Sequence, residues 1–240
     1  MRCVILQPSY IPWRGYFHQI ALADVFIFYD DVQYDKHGWR NRNRVKTHQG
    51  TMWLTIPVNS AGVLDDGVPI NLVQIDWRQP WSRKHWQTLR QSYGKAPFFD
   101  QYAGWLEARY QQRFDLLADF TIDLTIDISR RLGIQHTRFI RSSSYQVEGV
   151  KTDRLVDLLT QVGATHYITG PSARDYLEEE KFAALGIQLS YIAYGYPEYA
   201  QFYPPYDPQV SILDLMFMTG PQALSLITCA RQLWETLPAG

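Results

Sequence analysis

The sequence predicts an α/β fold: a Rossmann-like, mostly parallel sheet flanked by helices, with a helical insertion in the middle and helices at the C-terminal end. Three observations predict it. Short apolar runs alternate with helical patterns in the first and last thirds of the chain. Each apolar run ends in turn-forming residues. Between those thirds, aromatic residues recur every three or four positions, which is typical of helices.

The first unit of the chain has the pattern strand, helix, strand. Residues 3–7 form an apolar run suited to a buried strand, which prolines end. Gly15 opens a predicted helix that ends near Ala23, and the apolar run 25–29 predicts the next strand. A βαβ start favours a parallel sheet whose ligands lie at the carboxyl ends of the strands.

A basic segment follows, and it precedes another predicted strand, Thr51–Val58. The glycine-containing link between them predicts a hairpin over residues 44–58. In an extended segment side chains alternate between faces, so one face would carry all of its cations: Arg40, Arg42, Arg44 and Lys46. In a chain of net charge −1, such a row favours an anionic partner. A solvated edge strand protected by charge is the alternative.

The middle of the chain predicts helices. The polar stretch 59–67 predicts a loop, and residues 73–77 predict one more short strand. Apolar and aromatic residues at helical spacing then predict helices over 81–93 and 99–110.

Residues 115–132 fit two patterns. Isoleucine and leucine alternate strictly over 122–128, which indicates a strand, but a helical pattern spans more turns, so we predict a helix. The chain is thus expected to form a single α/β domain over residues 1–240, with 78–132 as a mainly helical insertion or subdomain.

The last third repeats the βαβ pattern. Its apolar runs predict three strands: 137–141, 166–169 and 187–193. Thr152 is the predicted N-cap of the first intervening helix, and Gly163 its stop. Ser172 and Asp175 fit a capping box for the second helix.

Two further helices are predicted after the last of these strands. A loop rich in proline and tyrosine, 195–208, precedes them. Ser211 and Asp214 cap the first helix, which stops at Gly220, and the second occupies about 222–236.

Composition excludes several classes of protein. A net charge of −1 and a pI of about 6.6 argue against a protein that coats nucleic acid. The sequence contains no GxGxxG, Walker, HExxH or GxSxG motif. Its histidines and two cysteines do not cluster at ligand spacing, so we predict no metal site. Without a signal peptide or a long apolar span, we predict a soluble, cytoplasmic protein that does not insert into membranes. No cofactor or oligomeric state is predicted.

Polar groups follow several of the predicted strands. Parallel strands end at one edge, so these groups are expected to line the same edge: Gln7, Tyr10, Asp30, Ser142, Ser143, Gly170 and Ser172. Turns and ordinary helix caps explain each of them singly. Together with the basic segment, whose arginines suit phosphate and carboxylate, they favour an anionic small molecule as ligand. His85 lies on the predicted aromatic helix face, where a lone histidine is more often a core residue than a catalyst.

These residues carry a family resemblance that covers nearly the whole chain. The long matching stretches are QPSYIPWRGYF (7–17), ADVFIFYDDVQYDKHGWRNRNRVK (23–46) and SILDLMFMTG (211–220). The sequence resembles the WbqC-like family, a bacterial group associated with O-antigen and surface-polysaccharide gene clusters. The family's motif residues stand here unchanged: Gln7, Pro8, Tyr10, Trp13, Gly15, Tyr16, Asp30, Gln33, Tyr34, Trp39, Asn41, Arg42, Asn43 and Arg44.

The resemblance implies a transferase that modifies a nucleotide- or lipid-linked sugar in polysaccharide biosynthesis, by amino-acyl (glycine) or acyl transfer to an amino sugar. A sugar nucleotide or an activated acyl donor would be the anionic partner. Asp30 is expected to act as general base, with His85 as a second catalytic candidate. The residues expected to bind substrate are Gln7, Tyr10, Tyr16, Gln33, Tyr34, Trp39, Asn41, Arg42, Asn43, Arg44, Lys46, Ser142, Ser143, Gly170 and Ser172. One departure is Tyr196, which stands where members often carry histidine before proline.

Two alternatives to the transferase stay open. The N-terminal order of elements also resembles pantothenate synthetase, which suggests an ATP-dependent ligase or nucleotidyltransferase. That enzyme's HxGH element is replaced here by Trp-Arg-Gly-Tyr at 13–16, so ATP use lacks its histidines. The other alternative is a non-catalytic module that binds sugar nucleotides.

Overall fold

The computed structural model describes residues 1–59, 67–229 and 235–236. The strands are β1 (Arg2–Leu6), β2 (Val25–Phe28), β3 (Arg42–Thr47), β4 (Gly50–Thr55), β5 (Arg138–Arg141), β6 (His166–Thr169), β7 (Gln188–Tyr191) and β8 (Glu235–Thr236). The α-helices are α1 (Arg14–Leu22), α2 (Trp81–Tyr93), α3 (Phe99–Gln111), α4 (Leu117–Arg131), α5 (Lys151–Val162), α6 (Glu179–Ala183), α7 (Ile212–Thr219) and α8 (Ala223–Thr228).

The main sheet has the strand order β5-β2-β1-β6-β7-β8. Its first five strands are parallel, and β8 is antiparallel to β7. Without the separate β3–β4 hairpin, the chain order of the parallel strands is 3-2-1-4-5, which is that of Rossmann folds. The predicted Rossmann-like α/β class is therefore confirmed.

Helices cover both faces of the sheet, so its central strands are apolar on both sides. On one face Val4 and Phe26 pack in the large cluster that includes α1, the hairpin and α2–α4. Their neighbours Cys3, Ile5 and Ile27 point to the other face and pack beneath α5 and α6. The alternation of side chains along each strand accounts for this division.

The hairpin of β3 and β4 is antiparallel, as predicted, and lies outside the main sheet. The Lys46 amide donates to Tyr93 Oη at 2.9 Å, and the Ser211 amide donates to the Arg44 carbonyl at 2.9 Å. These bonds fix the hairpin against α2 and the start of α7. The segment that precedes the hairpin, including Trp39, therefore lies beside the carboxyl ends of the main-sheet strands.

The helix predicted for 115–132 is confirmed as α4, whereas the strand predicted at 73–77 is wrong. That segment makes isolated bridges, Gln74 to Leu116 and Val58 to Ile75. Its amides bond to loop carbonyls instead, so no ladder forms among the described residues.

Two of the predicted N-caps are wrong and one is confirmed, while the helix stops predicted at Gly163 and Gly220 are both confirmed. Val150 is the N-cap of α5, and Thr152 instead accepts from the Glu178 amide at 3.3 Å. Residues 171–175 form a 3₁₀ turn without a side-chain cap. Ser211 caps α7 by accepting from the amide of Leu213.

The ends of two other predicted elements also differ. The last helix, α8, stops at Thr228, and Glu235–Thr236 pair with β7, so the predicted extension of the helix to 236 is wrong there. The predicted loop 59–67 falls mostly outside the described residues. No helix in the described ranges is long and apolar enough to cross a membrane.

Candidate functional site

A cleft of about 1410 Å³ opens at the carboxyl ends of β1 and β6. At this point the order of the parallel strands reverses, and α/β folds bind ligands in the crevice formed there. The predicted site residues that line the cleft are Gln7, Tyr16, Gln33, Trp39, Asn43, Gly170 and Ser172. These residues come from four separate parts of the sequence, so the fold alone brings them together.

The carbonyl of Gln7 organises one wall of the cleft. It accepts from Tyr16 Oη at 3.0 Å and from Arg40 Nη1 at 3.3 Å. Arg40 Nη1 also donates to Ser9 Oγ at 2.9 Å. Burial raises the pKa of Tyr16, so its phenol stays neutral and keeps donating this bond. Arg40 is thus the cation of the basic segment that lines the cleft.

Two cations that sequence reasoning missed, Lys151 and Arg154, line the cleft from the first turn of α5. Arg154 is fixed by bonds to Asp31 Oδ2 at 2.6 Å and to the Val147 carbonyl at 3.0 Å. A helix that follows a parallel strand must begin at the carboxyl edge of the sheet. Applied to the strand and helix predicted in this part of the sequence, that rule would have placed the start of α5 at the candidate site.

Lys151 combines an unusual backbone with an unpaired charge. Its φ is 52°, in the left-handed region where side chains other than glycine cost about 1–2 kcal/mol. Its exposed ammonium makes no hydrogen bond or ion pair with another described residue. The free N–H groups of a helix N-terminus also attract anions. Backbone strain at such a residue points to a functional role. This end of the cleft is suited to binding an anion.

One wall of the cleft, on the side of α1, consists of two aromatic rings and an amide: Trp13, Tyr194 and Gln19. The Trp13 and Tyr194 rings lie 5.0 Å apart, and Gln19 Nε2 donates to Tyr194 Oη at 2.7 Å. Burial raises the pKa of Tyr194 to about 12. Gln19 Oε1 is buried and has no hydrogen-bond partner among the described residues, which leaves an acceptor in the wall.

Asp30, the predicted general base, lies outside the cleft lining and has no exposed surface. Its carboxylate accepts from the Ser143 amide at 3.1 Å, from Ser143 Oγ at 3.0 Å and from Ser142 Oγ at 3.2 Å. The structure therefore brings these three predicted residues together, as expected at one sheet edge. Their contacts join the end of β2 to the end of β5.

His85 and Tyr10 meet in the core, away from the cleft. Tyr10 Oη lies 2.9 Å from His85 Nδ1 and also bonds to Tyr110 Oη. The imidazole packs edge-on against Trp81, with ring centroids 5.3 Å apart. These contacts make the residue a hydrogen-bonded part of an aromatic core.

Burial gives His85 a pH-dependent effect on stability, because it lowers the pKa of His85 to about 4. The unfolded chain binds the same proton at about 6.5, so stability falls as the pH drops below that value. We expect the free energy of unfolding to decrease by up to about 1.4 kcal/mol per pH unit between about 6.5 and 4. His18, whose pKa burial also lowers to about 4, acts in the same direction.

Urea unfolding at about pH 7 and about pH 5 measures this loss. The variant His85→Gln removes one of these histidines and should lose less stability between the two conditions. An equal loss in variant and wild type would contradict this role of His85.

The other cations of the basic segment bind the protein itself, and they do not form one solvent-facing row. Arg42 donates to the His37 carbonyl at 2.5 Å, and Arg44 to Gln209 Oε1 at 3.1 Å. Lys46 is 2% exposed and donates to the Pro205 carbonyl. The expected alternation holds within the strand, since Arg42 and Arg44 both pack against Trp53. Arg40 precedes the strand and the loop 195–208 covers Lys46, so the four cations do not form one open row.

Two asparagines of the same motif also hold the backbone. Asn41 Nδ2 donates to the Ile56 carbonyl at 2.8 Å, and Asn43 Nδ2 to the Ile11 carbonyl at 2.9 Å. Ile11 has a φ of 37°, so this bond stabilises a left-handed residue beside the cleft. Tyr34 is buried, which raises its pKa to about 12.

Tyr196, the departure from the resembled pattern, lies next to α1. Its hydroxyl is 2.9 Å from His18 Nδ1, and Arg14 Cζ lies 4.6 Å from its ring centroid. In the described residues no group of His, Cys, Asp and Glu side chains could hold a metal ion.

Comparisons with known proteins support the family resemblance seen in the sequence. The family model described as "WbqC-like protein family" matches residues 7–226 of the chain. It is also 40% identical over 233 residues to "Uncharacterized protein Rv1507c" of Mycobacterium tuberculosis, a match that covers 96% of this chain and 99% of the relative. No solved structure matches it. The chain therefore belongs to the WbqC-like protein family.

Proposed function

We propose that this protein is a transferase that modifies a nucleotide- or lipid-linked amino sugar in surface-polysaccharide (O-antigen) biosynthesis, by amino-acyl (glycine) or acyl transfer. The observation that carries the proposal is the cleft at the carboxyl ends of β1 and β6, lined by cations, amides and aromatic rings. Its volume of about 1410 Å³ exceeds the usual 300–1,000 Å³ of small-molecule pockets. A cleft of this volume can hold a sugar nucleotide together with a second substrate.

The diphosphate of such a substrate fits the start of α5. Lys151 offers an unpaired ammonium there, and Arg154, held by Asp31, offers the remaining N–H groups of its guanidinium. The N-terminus of α5 adds the positive end of its dipole. Three sources of positive potential therefore meet on one side of the cleft.

Amide side chains in the cleft lining suit the hydroxyl and acetamido groups of a sugar. Gln7, Gln33 and Gln209 line the cleft and each provides both a donor and an acceptor. Trp13 and Tyr16 supply flat apolar surface beside them. Such a mixture of aromatic surface and a few polar groups is typical of small-molecule sites.

In the proposed reaction the amine of the sugar attacks the carbonyl carbon of the activated acyl group. A tetrahedral intermediate forms, the activating group leaves with the bonding electrons, and an amide results. A base must take the proton that the amine loses. Among the described residues that line the cleft, Asp175 supplies a solvent-exposed carboxylate, and we assign the role to it in place of the buried Asp30.

A binding screen followed by a transfer assay tests this proposal. Thermal shifts are measured with sugar nucleotides, ATP and acyl donors, and each ligand that binds is then incubated with amino-sugar nucleotides and activated glycine or acyl groups. Mass spectrometry should detect a sugar product enlarged by one acyl group, and the variant Asp175→Asn should form it at least about tenfold more slowly. Binding without any product would instead favour the sugar-nucleotide-binding module, which the burial of both Asp30 and His85 also supports.

A further inference from the structure

Two tryptophans at the mouth of the cleft expose an unusual amount of aromatic surface. Trp39 is 40% exposed and Trp53 is 48% exposed. Their ring centroids lie 5.1 Å apart, with the ring planes tilted by 38°. Exposed apolar patches beside a polar groove mark ligand-binding surfaces.

The fold holds both rings in place. Trp53 lies on β4 directly opposite Arg44 of β3, and the Trp39 carbonyl accepts from the Tyr10 amide at 3.3 Å. The Arg44 Cζ atom is 5.8 Å from each ring centroid, and Arg42 Cζ is 5.3 Å from that of Trp53. The pair is therefore a preformed surface, since cations already pack against it.

The pair is continuous with the cleft, because Trp39 lines the cleft while Trp53 lies outside its lining. A ligand that fills the cleft and extends outward from its mouth meets Trp39 first and Trp53 next. The guanidinium groups beside the rings donate to protein groups, among them Gln209 Oε1 and the Gly38 carbonyl. The surface thus suits a ring that stacks by its apolar face and leaves its polar groups in water.

We propose that Trp39 and Trp53 form a stacking platform for a pyranose ring of the saccharide that the cleft takes as substrate or acceptor. A pyranose has an apolar C–H face and hydroxyl groups at its rim, which match a platform that is half in water. A nucleobase needs donors and acceptors aimed at its hydrogen-bonding edge, whereas the guanidinium groups beside these rings supply donors alone. This inference rests on the proposed function, for which it names a second place where the saccharide contacts the protein.

Binding to an array of immobilised bacterial oligosaccharides tests the platform, with the wild type compared with Trp53→Ala, Trp53→Phe and Leu185→Ala. Trp53→Ala should weaken the saccharide signals about tenfold, or about 1.4 kcal/mol, because it removes one of the two stacking rings. Trp53→Phe should restore most of the signal. Leu185, an exposed apolar residue outside the cleft lining, is the matched control and should change nothing. Retention of the fold is checked by urea unfolding of each variant.

The other outcomes separate this inference from the proposed function. Saccharide binding that is absent in the wild type, or unchanged in a folded Trp53→Ala variant, overturns the platform. If Trp53→Ala weakens uridine monophosphate and not saccharide, the platform holds a nucleobase and the inference is wrong. Saccharide binding that depends on Trp53, in a protein that binds no sugar nucleotide, supports the platform and contradicts only the proposed anionic site.

Discussion

Replacing Lys151 with methionine is expected to weaken the binding of a sugar nucleotide by about 10- to 100-fold, with the fold retained. The substitution keeps the length of the side chain and removes its charge. A hydrogen bond to a charged group contributes about 1.5–3 kcal/mol, which corresponds to this range of dissociation constants. Titration calorimetry with the sugar nucleotide that binds the wild type best provides the measurement.

Two further substitutions sharpen the test of Lys151. Lys84 is an exposed lysine of α2 outside the cleft lining, so Lys84→Met is the matched control and should bind like the wild type. Lys151→Gly removes the side chain but suits a φ of 52°, so it should lose affinity without losing stability. If Lys151→Met and Lys84→Met bind equally well, the anion is held elsewhere.

Replacing Gly15 with alanine is expected to abolish measurable ligand binding and to lower the free energy of unfolding by about 1–3 kcal/mol. An added Cβ at Gly15 would overlap the indole of Trp13, which lines the cleft and packs against Tyr194. The ring must then move into the cleft or displace its neighbour. Urea unfolding and calorimetry on the same sample measure the two effects.

Helix propensity alone predicts the opposite result, since alanine in a helix is about 1 kcal/mol more favourable than glycine. Gly104 of α3 is the matched control, because a Cβ added there meets no atom within 4 Å. Gly104→Ala should therefore stabilise the protein and leave binding unchanged. A Gly15→Ala variant that behaves in the same way would show that Trp13 can move without consequence.

Hydrophobic periodicity predicted most of the fold because the sheet strands are buried on both faces and the helices carry clear apolar stripes. α4 was ambiguous, since 122–128 alternates as a strand would, and the longer helical pattern prevailed. The strand predicted at 73–77 failed because its amides bond to loop carbonyls, which no local pattern encodes. The cap predicted at Thr152 failed for a similar reason: its hydroxyl faces the Glu178 amide, a partner distant in sequence.

The candidate site was harder to predict than the fold. The rule that ligands lie at the carboxyl edge identified Gln7, Gly170 and Ser172, which do line the cleft. The basic segment misled, since alternation cannot show that Arg42 binds a neighbouring carbonyl or that a later loop covers Lys46. Lys151 carries no motif at all, and its left-handed backbone becomes evident only in three dimensions.

The central claim is that the cleft at the carboxyl ends of β1 and β6 holds the ligand. Amide hydrogen exchange, measured with and without the sugar nucleotide that binds best, tests it most directly. The account predicts slower exchange in peptides that cover residues 7–16, 150–154 and 170–176, with no change across 81–131. Protection confined to 81–131, around His85, or no protection at saturating ligand, would contradict it.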